Sequence, residues 1–299
     1  MFMISVPASS ANIGPGFDSA GVAVGRYLTL QVTKAEEWSF DHTNSLIPSV
    51  KNYEDHYIYK VAKQVADWND CSLSPCHVLM DSEIPLARGL GSSASAIVAG
   101  IELANQLCKL DLTERQKLDY AVKIEGHPDN VAACLLGGFV VTVKMGEEAS
   151  YKKLPAIDTD LVVYIPSFEL KTEDARKVLP DNFQMKDAAT ASGVSNLMIS
   201  ALLTGDYELA GKMMESDLFH ESYRAKLIPN YFEIRSHARK LGAFGTVISG
   251  AGPTMISFVP NGKGKLIAEE MQAKLPDYEV AALELDEAGL QVKVNINNQ

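Results

Sequence analysis

The residues best suited to chemistry begin with Pro85-Leu86-Ala87-Arg88-Gly89-Leu90-Gly91-Ser92-Ser93-Ala94-Ser95-Ala96. This run leads directly into the apolar stretch 97–104, which reads as a buried helix. A glycine turn opening a helix leaves backbone N–H groups without intrahelical partners, with the positive end of the helix dipole behind them. A phosphate can approach such backbone only where no Cβ blocks it. The stretch therefore reads as an anion site rather than a plain turn before a capped helix. Ser92 and Ser93 add hydroxyls, one of which could hold a metal ion and the other a phosphate oxygen. The run lacks the Gly-Lys-Ser/Thr ending of a Walker A loop and the third glycine of a dinucleotide fingerprint.

A second loaded segment is Glu125-Gly126-His127-Pro128-Asp129-Asn130-Val131. Taken alone, Glu125 is a solvated carboxylate at a helix end. Next to a phosphate site it is a hard oxygen ligand of the kind magnesium takes. His127, beside a proline and two amide or carboxylate side chains, reads as a general base, a substrate anchor or a loop brace. Asp129 is expected to brace the loop by capping the helix at Val131. At the start of the chain, 7–18 carries too many turn residues for helix or strand, and it sets the amide of Asn12 and the carboxylate of Asp18 on a glycine-supported loop. Arg176 and Arg224 lie in the second half. Each alone is more often a surface ion-pair partner, but an arginine fork grips a carboxylate bidentately. Two forks, with Asp18 for an ammonium, describe a pocket for an amino-acid zwitterion.

The elements that must hold these residues follow from periodicity. Residues 3–6 begin an extended segment stopped by Pro7, and 27–33 alternate as a strand. A helix is expected over 55–68, and a short strand over 76–81 feeds the glycine loop. Thr113 and Gln116 form a capping box for a helix running to about Ile124, with Leu118, Ala121 and Val122 inward. A strand covers 139–143, and the charged stretch 144–153 is the candidate boundary between domains 1–153 and 154–299. A strand at 161–165 is followed by helices near 186–203, 207–217 and 229–241, with Pro229 in the first turn and Gly242 after the last. Strand, glycine turn and strand follow over 246–258, then a helix near 262–274 and strands near 278–285 and 290–296. Sheets covered by helices in both halves give an α+β protein of two layers.

The string from Pro85 to Ser95 resembles the phosphate loop of the GHMP kinases, a family that includes galactokinase, homoserine kinase, mevalonate kinase and phosphomevalonate kinase. Pro7-Ala8-Ser9-x-Ala11-Asn12-x-Gly14-Pro15-Gly16-Phe17-Asp18 is similar to the N-terminal motif of the homoserine kinases in particular. Thr172-x2-Ala175-Arg176-x2-Leu179-Pro180, Arg224-x2-Leu227-Ile228-Pro229 and Ser249-Gly250-Ala251-Gly252-Pro253 resemble further family segments in family order. The resemblance implies an N-terminal domain like domain 2 of ribosomal protein S5 and a ferredoxin-like C-terminal domain. It implies ATP on the 85–95 loop, with the positions of His56 and Tyr57 near the adenine in place of the family's Asn-Leu pair. Magnesium would be held by Ser93 and Glu125. Asn130, where some relatives carry an aspartate base, would orient the acceptor hydroxyl. Asn12, Asp18, His127, Thr172, Arg176, Arg224 and Gly250 would form the substrate side. The implied activity is transfer of the ATP γ-phosphate to the side-chain hydroxyl of L-homoserine in threonine biosynthesis, by a homodimer. Rival readings are another GHMP kinase and a non-catalytic nucleotide or amino-acid sensor on the same fold.

Composition bounds these readings. The 299 residues, 46% hydrophobic and 22% charged, suffice for two domains with a real core. A formal net charge of −11 argues against nucleic acid or an anionic membrane as partner. No secretory h-region or bilayer-length apolar run is present, so the cytoplasm is expected. Cys71, Cys76, Cys108 and Cys134 show no zinc spacing and are expected as reduced core fillers.

Overall fold

The computed structural model describes residues 1–44, 46 and 50–294. In chain order these form β1 (Phe2–Ala11), β2 (Ala20–Lys34), β3 (Ser39–His42), α1 (Tyr57–Trp68), β4 (Cys76–Ser82), α2 (Ser92–Cys108), α3 (Glu114–Glu125), α4 (Pro128–Leu136), β5 (Phe139–Met145) and β6 (Glu148–Lys153). There follow β7 (Thr159–Pro166), α5 (Thr172–Arg176), α6 (Met185–Thr204), α7 (Tyr207–Met214), α8 (Glu221–Arg224), α9 (Tyr231–Lys240), β8 (Gly245–Ile248), β9 (Met255–Pro260), α10 (Gly264–Lys274), β10 (Tyr278–Leu283) and β11 (Gln291–Val294).

Two sheets organise the chain. The first runs β11-β1-β2-β4-β3, with β5 on the other half of the long β2 and β6 beyond it. The second runs β10-β7-β9-β8. Several expectations give way here. β1 does not stop at Pro7 but continues to Ala11, with its register against β2 shifting between Pro7 and Ala8. A bulge lets a residue with no N–H stay in a strand. The N-terminal loop is thus confined to 12–19. The 144–153 stretch is the end of β5, a turn at Gly146 and β6, a hairpin of the first sheet. The change of sheet lies between Lys153 and Thr159. β11 pairs with β1 (Phe2 opposite Val294), so the chain's last described strand belongs to the first sheet. The final residues of the expected 290–296 strand lie outside the described residues. Pro229 precedes α9, whose first turn follows Asn230 in a left-handed conformation.

The Thr113–Gln116 capping box is present in both directions, and Leu118, Ala121 and Val122 are buried. The cysteines divide. Cys76 and Cys134 are buried free thiols, whereas Cys71 and Cys108 form a disulfide, Cα–Cα 6.2 Å. Packing of α1 on α2 brings the residues after α1 to the end of α2, which no spacing motif announces. Among the described residues no helix is long and apolar enough to cross a membrane.

α2 is positioned by close contact with α1. A Cβ at Gly100 would lie 2.7 Å from Val61 Cβ and 2.9 Å from the Ile58 carbonyl oxygen. In the second layer the buried Glu221 carboxylate accepts the Ile248 N–H at 2.6 Å and the Tyr231 hydroxyl, tying α8 to β8 and α9. Burial pushes its pKa up to about 7. Gly100→Ala should lower stability by about 1–2 kcal/mol, because overpacking outweighs the gain in helix propensity. A melting temperature at or above wild type would contradict the tight crossing. For Glu221 the folded state holds a proton that the unfolded chain releases at an ordinary carboxyl pKa. Wild-type stability relative to Glu221→Gln should therefore fall as pH rises from about 4.5 to about 7 and then level off, measured as the difference in melting temperature across that range. A flat difference would show that Glu221 does not titrate there.

Candidate active site

The loop between β4 and α2 has Ala87, Gly89 and Gly91 at positive φ (50°, 80° and 68°), with Gly91 as the N-cap of α2. The Ser95 N–H returns to the Gly91 carbonyl at 2.9 Å. The N–H groups of Ser92, Ser93 and Ala94 precede that first helical bond and have no intrahelical partner. Glycine at 89 is required by contact, since a Cβ there would lie 2.4 Å from the Ser249 carbonyl oxygen.

Two cavities meet at Ser92 and Ser93. The first, about 340 Å³, is lined by Asn12, Asp18, Ala87, Gly89, Gly91, Glu125, His127, Asp129, Asn130, Thr172, Arg176, Arg224 and Gly250, with Lys171 and Ala251 among others. The second, about 420 Å³, is walled by Leu28, Ile58, Met80, Ile84 and Leu86, with His56, Tyr57 and Ser95. Its lining is mostly apolar. His56 is buried and stacked on Phe40 with centroids 4.1 Å apart, and burial pulls its pKa down to about 4, so it is neutral. Tyr57 stands at the mouth near Ser93 and Glu125, its phenol pKa raised by partial burial.

Not every loop residue faces these cavities. Pro85, Arg88, Leu90 and Ala94 line neither. Arg88 turns away, donating to the carbonyls of Pro166 (3.0 Å), Ser167 (2.7 Å) and Leu86 (2.9 Å). Its guanidinium is used to bind β7 to the loop, and is not free for a phosphate. Leu90 and Ala94 are buried in the core.

Glu125, His127, Asp129 and Asn130 share one corner because α3 stops and α4 starts within three residues. Gly126 (φ 90°) ends α3, and Pro128 opens α4. The Ser93 hydroxyl donates to Glu125 at 3.0 Å, and burial raises the Glu125 carboxyl above its ordinary value. No three His, Cys, Asp or Glu side chains cluster as a metal cage among the described residues. A hydroxyl and a carboxylate at the rim of a phosphate cradle fit magnesium, which takes few protein oxygens and completes its shell from phosphate and water. Asp129 is not a cap outside the helix. It lies in the first turn of α4, 4% exposed, accepting the Asn130 N–H at 2.8 Å. Burial pushes its pKa up to about 7. The His127 pKa is lowered, chiefly by burial.

Opposite the cradle, Arg176 donates to both carboxylate oxygens of Asp18, at 2.7 and 3.3 Å. The expected free carboxylate and free fork are therefore already a pair. Thr172 and Arg176, one helical turn apart on α5, both line the cavity. Arg224 differs more from expectation. It is 1% exposed, its Nε donating to the Ala175 carbonyl (3.1 Å) and its Nη1 to the Gly250 carbonyl (3.2 Å). Burial lowers its pKa to about 10. Asn12 is likewise spent in bracing, giving Nδ2 to the Gly250 carbonyl at 2.7 Å and accepting the Asp18 N–H at 3.0 Å.

His220, marked by no motif of its own, braces Arg224 from behind. Its Nε2 lies 2.9 Å from the Gly14 carbonyl, and Arg224 Nη1 lies 3.3 Å from its Nδ1. Burial pulls its pKa down to about 4, so neutral imidazole gives to Gly14 and accepts from Arg224. The four-residue spacing from Arg224 was the available signal. Lys171, another lining cation, was marked by nothing but adjacency to Thr172.

The GHMP kinases N terminal domain matches residues 56–138, and the GHMP kinases C terminal domain matches 198–277. The homoserine kinase of Oceanobacillus iheyensis is 51% identical over 294 residues, covering 98% of this chain and 99% of its own. That of Streptococcus gordonii is 47% identical over 291 residues, covering 97% and 99%. The crystal structure of homoserine kinase from Cytophaga hutchinsonii aligns with a TM-score of 0.85 at 27% identity, covering 98% of this chain and 97% of that one. With both GHMP kinase domains matched and full-length homoserine kinases similar at this level, the chain belongs to the GHMP kinases, in their homoserine kinase branch.

Proposed function

We propose that this ATP-dependent kinase transfers the γ-phosphoryl group of ATP to the side-chain hydroxyl of L-homoserine, giving O-phospho-L-homoserine and ADP for threonine biosynthesis. The observation that carries this reading is the shared cavity. Ser92 and Ser93, which open α2, and the Asp18–Arg176 pair of the acceptor side line the same 340 Å³. The base lies in the apolar cavity by His56 and Tyr57, and the phosphates lie along 86–95.

The acceptor oxygen bonds to the γ-phosphorus as the bond to the β–γ bridging oxygen breaks. Ser93 and Glu125 would hold magnesium, which when bound would supply charge neutralisation for the phosphates. Asn130 holds the acceptor hydroxyl, whose proton leaves late, to the transferred phosphoryl oxygens and then to water, because the transition state is loose. No strong base is therefore required, and Asp129 supports the corner rather than taking the proton. Asp18 and Arg176 receive the ammonium and carboxylate of the substrate, with Thr172 and His127 beside them. Arg224, Asn12 and Gly250 form the rigid back of the pocket. The resemblance further carries a cytoplasmic homodimer, a nucleotide-binding part up to residue 153 and a substrate-closing part after it. The net charge of −11 supports the absence of nucleic-acid or membrane partners.

ADP release with Mg-ATP and homoserine, mevalonate, galactose or threonine tests the reading. Homoserine should be strongly preferred, and turnover of mevalonate or galactose without homoserine would overturn it. Arg176→Ala should raise the homoserine KM roughly 30-fold, the equivalent of about 2 kcal/mol for a charge-assisted pair, with the ATP KM within about twofold. Glu125→Ala should instead lower kcat on the order of 100-fold. Asp129→Asn should cost less kcat than Asn130→Ala, and the reverse ranking would restore a base mechanism.

A further inference from the structure

Asn130 can meet an acceptor hydroxyl with either end of its amide, and the ends are chemically different. The nitrogen donates, whereas the oxygen accepts and could draw on the hydroxyl's proton. Which end is free depends on contacts behind it. The Ser9 hydroxyl, on β1, donates to Asn130 Oδ1 at 2.8 Å. The Cys134 thiol, one turn after Asn130 on the same face of α4, donates to the same Ser9 oxygen at 3.2 Å. Ser9 and Cys134 are both 0% exposed, while Asn130 reaches the cavity.

The chain of donors has one direction. Burial pushes the Cys134 thiol up to about 12, so it keeps the proton that it donates to Ser9. Ser9 then passes its single hydroxyl proton to Asn130 Oδ1. The same hydroxyl fills the space in front of Gly91. A Cβ there would lie 2.1 Å from Ser9 Oγ and 3.2 Å from Asn130 Oδ1. The Ser9 N–H also donates to the Leu90 carbonyl at 3.2 Å. β1, the phosphate loop and α4 thus converge on one buried oxygen.

We infer that Ser9 is a positioning residue for phosphoryl transfer, engaging the carbonyl of Asn130 so that its amide N–H, and not its oxygen, is presented to the acceptor hydroxyl. This rests on the reading that Asn130 faces that hydroxyl. Its consequence is that Asn130 meets the attacking oxygen as a hydrogen-bond donor and not as an acceptor.

The full-length chain with Mg-ATP and homoserine tests this through Ser9→Ala, Asn130→Ala and the double variant. Ser9→Ala should lower kcat about 5- to 30-fold, the range expected for one lost orienting hydrogen bond, with both KM values within about twofold. In the Asn130→Ala background it should change kcat no further, because its effect passes through that amide. An equal loss in both backgrounds would overturn the proposal. A normal Ser9→Ala beside a crippled Asn130→Ala would overturn it alone, whereas a fully active Asn130→Ala would overturn the reading of the acceptor site and this proposal with it. If Ser9→Ala does not fold, Ser9→Thr and Ser9→Cys decide. Thr keeps the hydroxyl and should retain kcat within about 3-fold, while the weak thiol donor should lose most of the effect. Equal kcat in the two would overturn it.

Discussion

The site exists because two glycine turns from different sheets touch along bare backbone. The Ser249 hydroxyl donates to the Gly89 carbonyl at 2.6 Å, the Thr254 N–H to the Arg88 carbonyl at 3.2 Å and the Gly250 N–H to the Ala11 carbonyl at 3.0 Å. Buried backbone groups must find partners, and these find one another across the seam. A side chain at residue 89 would push the sheets apart by colliding with the Ser249 carbonyl. The same contact sets the distance between phosphate cradle and acceptor pocket. Displacement by an ångström costs much of the benefit of holding two reactants together, so this seam is where rate is most exposed to structural change.

Charge at the site is managed locally, against the field of an acidic chain. At the loop the first N–H groups of α2 have no intrahelical partner, while Arg88 spends its charge on carbonyls behind. His220 is kept neutral by burial, which lets it accept from Arg224 while giving to Gly14. A protonated ring would set two cations side by side in a buried position, at a high cost. The N-terminal loop is thereby fastened to α8 by a group that carries no charge of its own.

Residues that act through local chemistry were legible in sequence. Ala87, Gly89, Gly91, Ser92 and Ser93 of the loop line one cavity with Glu125, Asn130, Asp18 and Arg176, because their motifs encode turns and helix ends, which form from neighbours in the chain. What escaped was set by long-range packing. Nothing near Arg88 says that β7 will offer it carbonyls, and nothing near Arg224 says that Ala175 and Gly250 will occupy its donors. The return of β11 to β1 and the Cys71–Cys108 link join segments far apart in sequence. Pro7 misled for a different reason, since proline removes a donor without forbidding extended backbone.

The Asp18–Arg176 pair bears on why the acceptor should be a zwitterion. Both side chains are about one-third exposed, so without substrate each has its partner and some water. An amino acid brings one charge of each sign, and exchanging with the pair leaves every charge matched as the water is expelled. A monoanion such as mevalonate would take Arg176 and leave the Asp18 carboxylate unpaired in a closing, less hydrated cavity. A neutral sugar would have to part the pair or leave it untouched and bind without it. On this reading the pocket selects against the wrong partner by the group it strands, a penalty that grows as the site dries. The discrimination therefore comes from the pair's being complete before substrate arrives, and not from an open fork waiting for an anion.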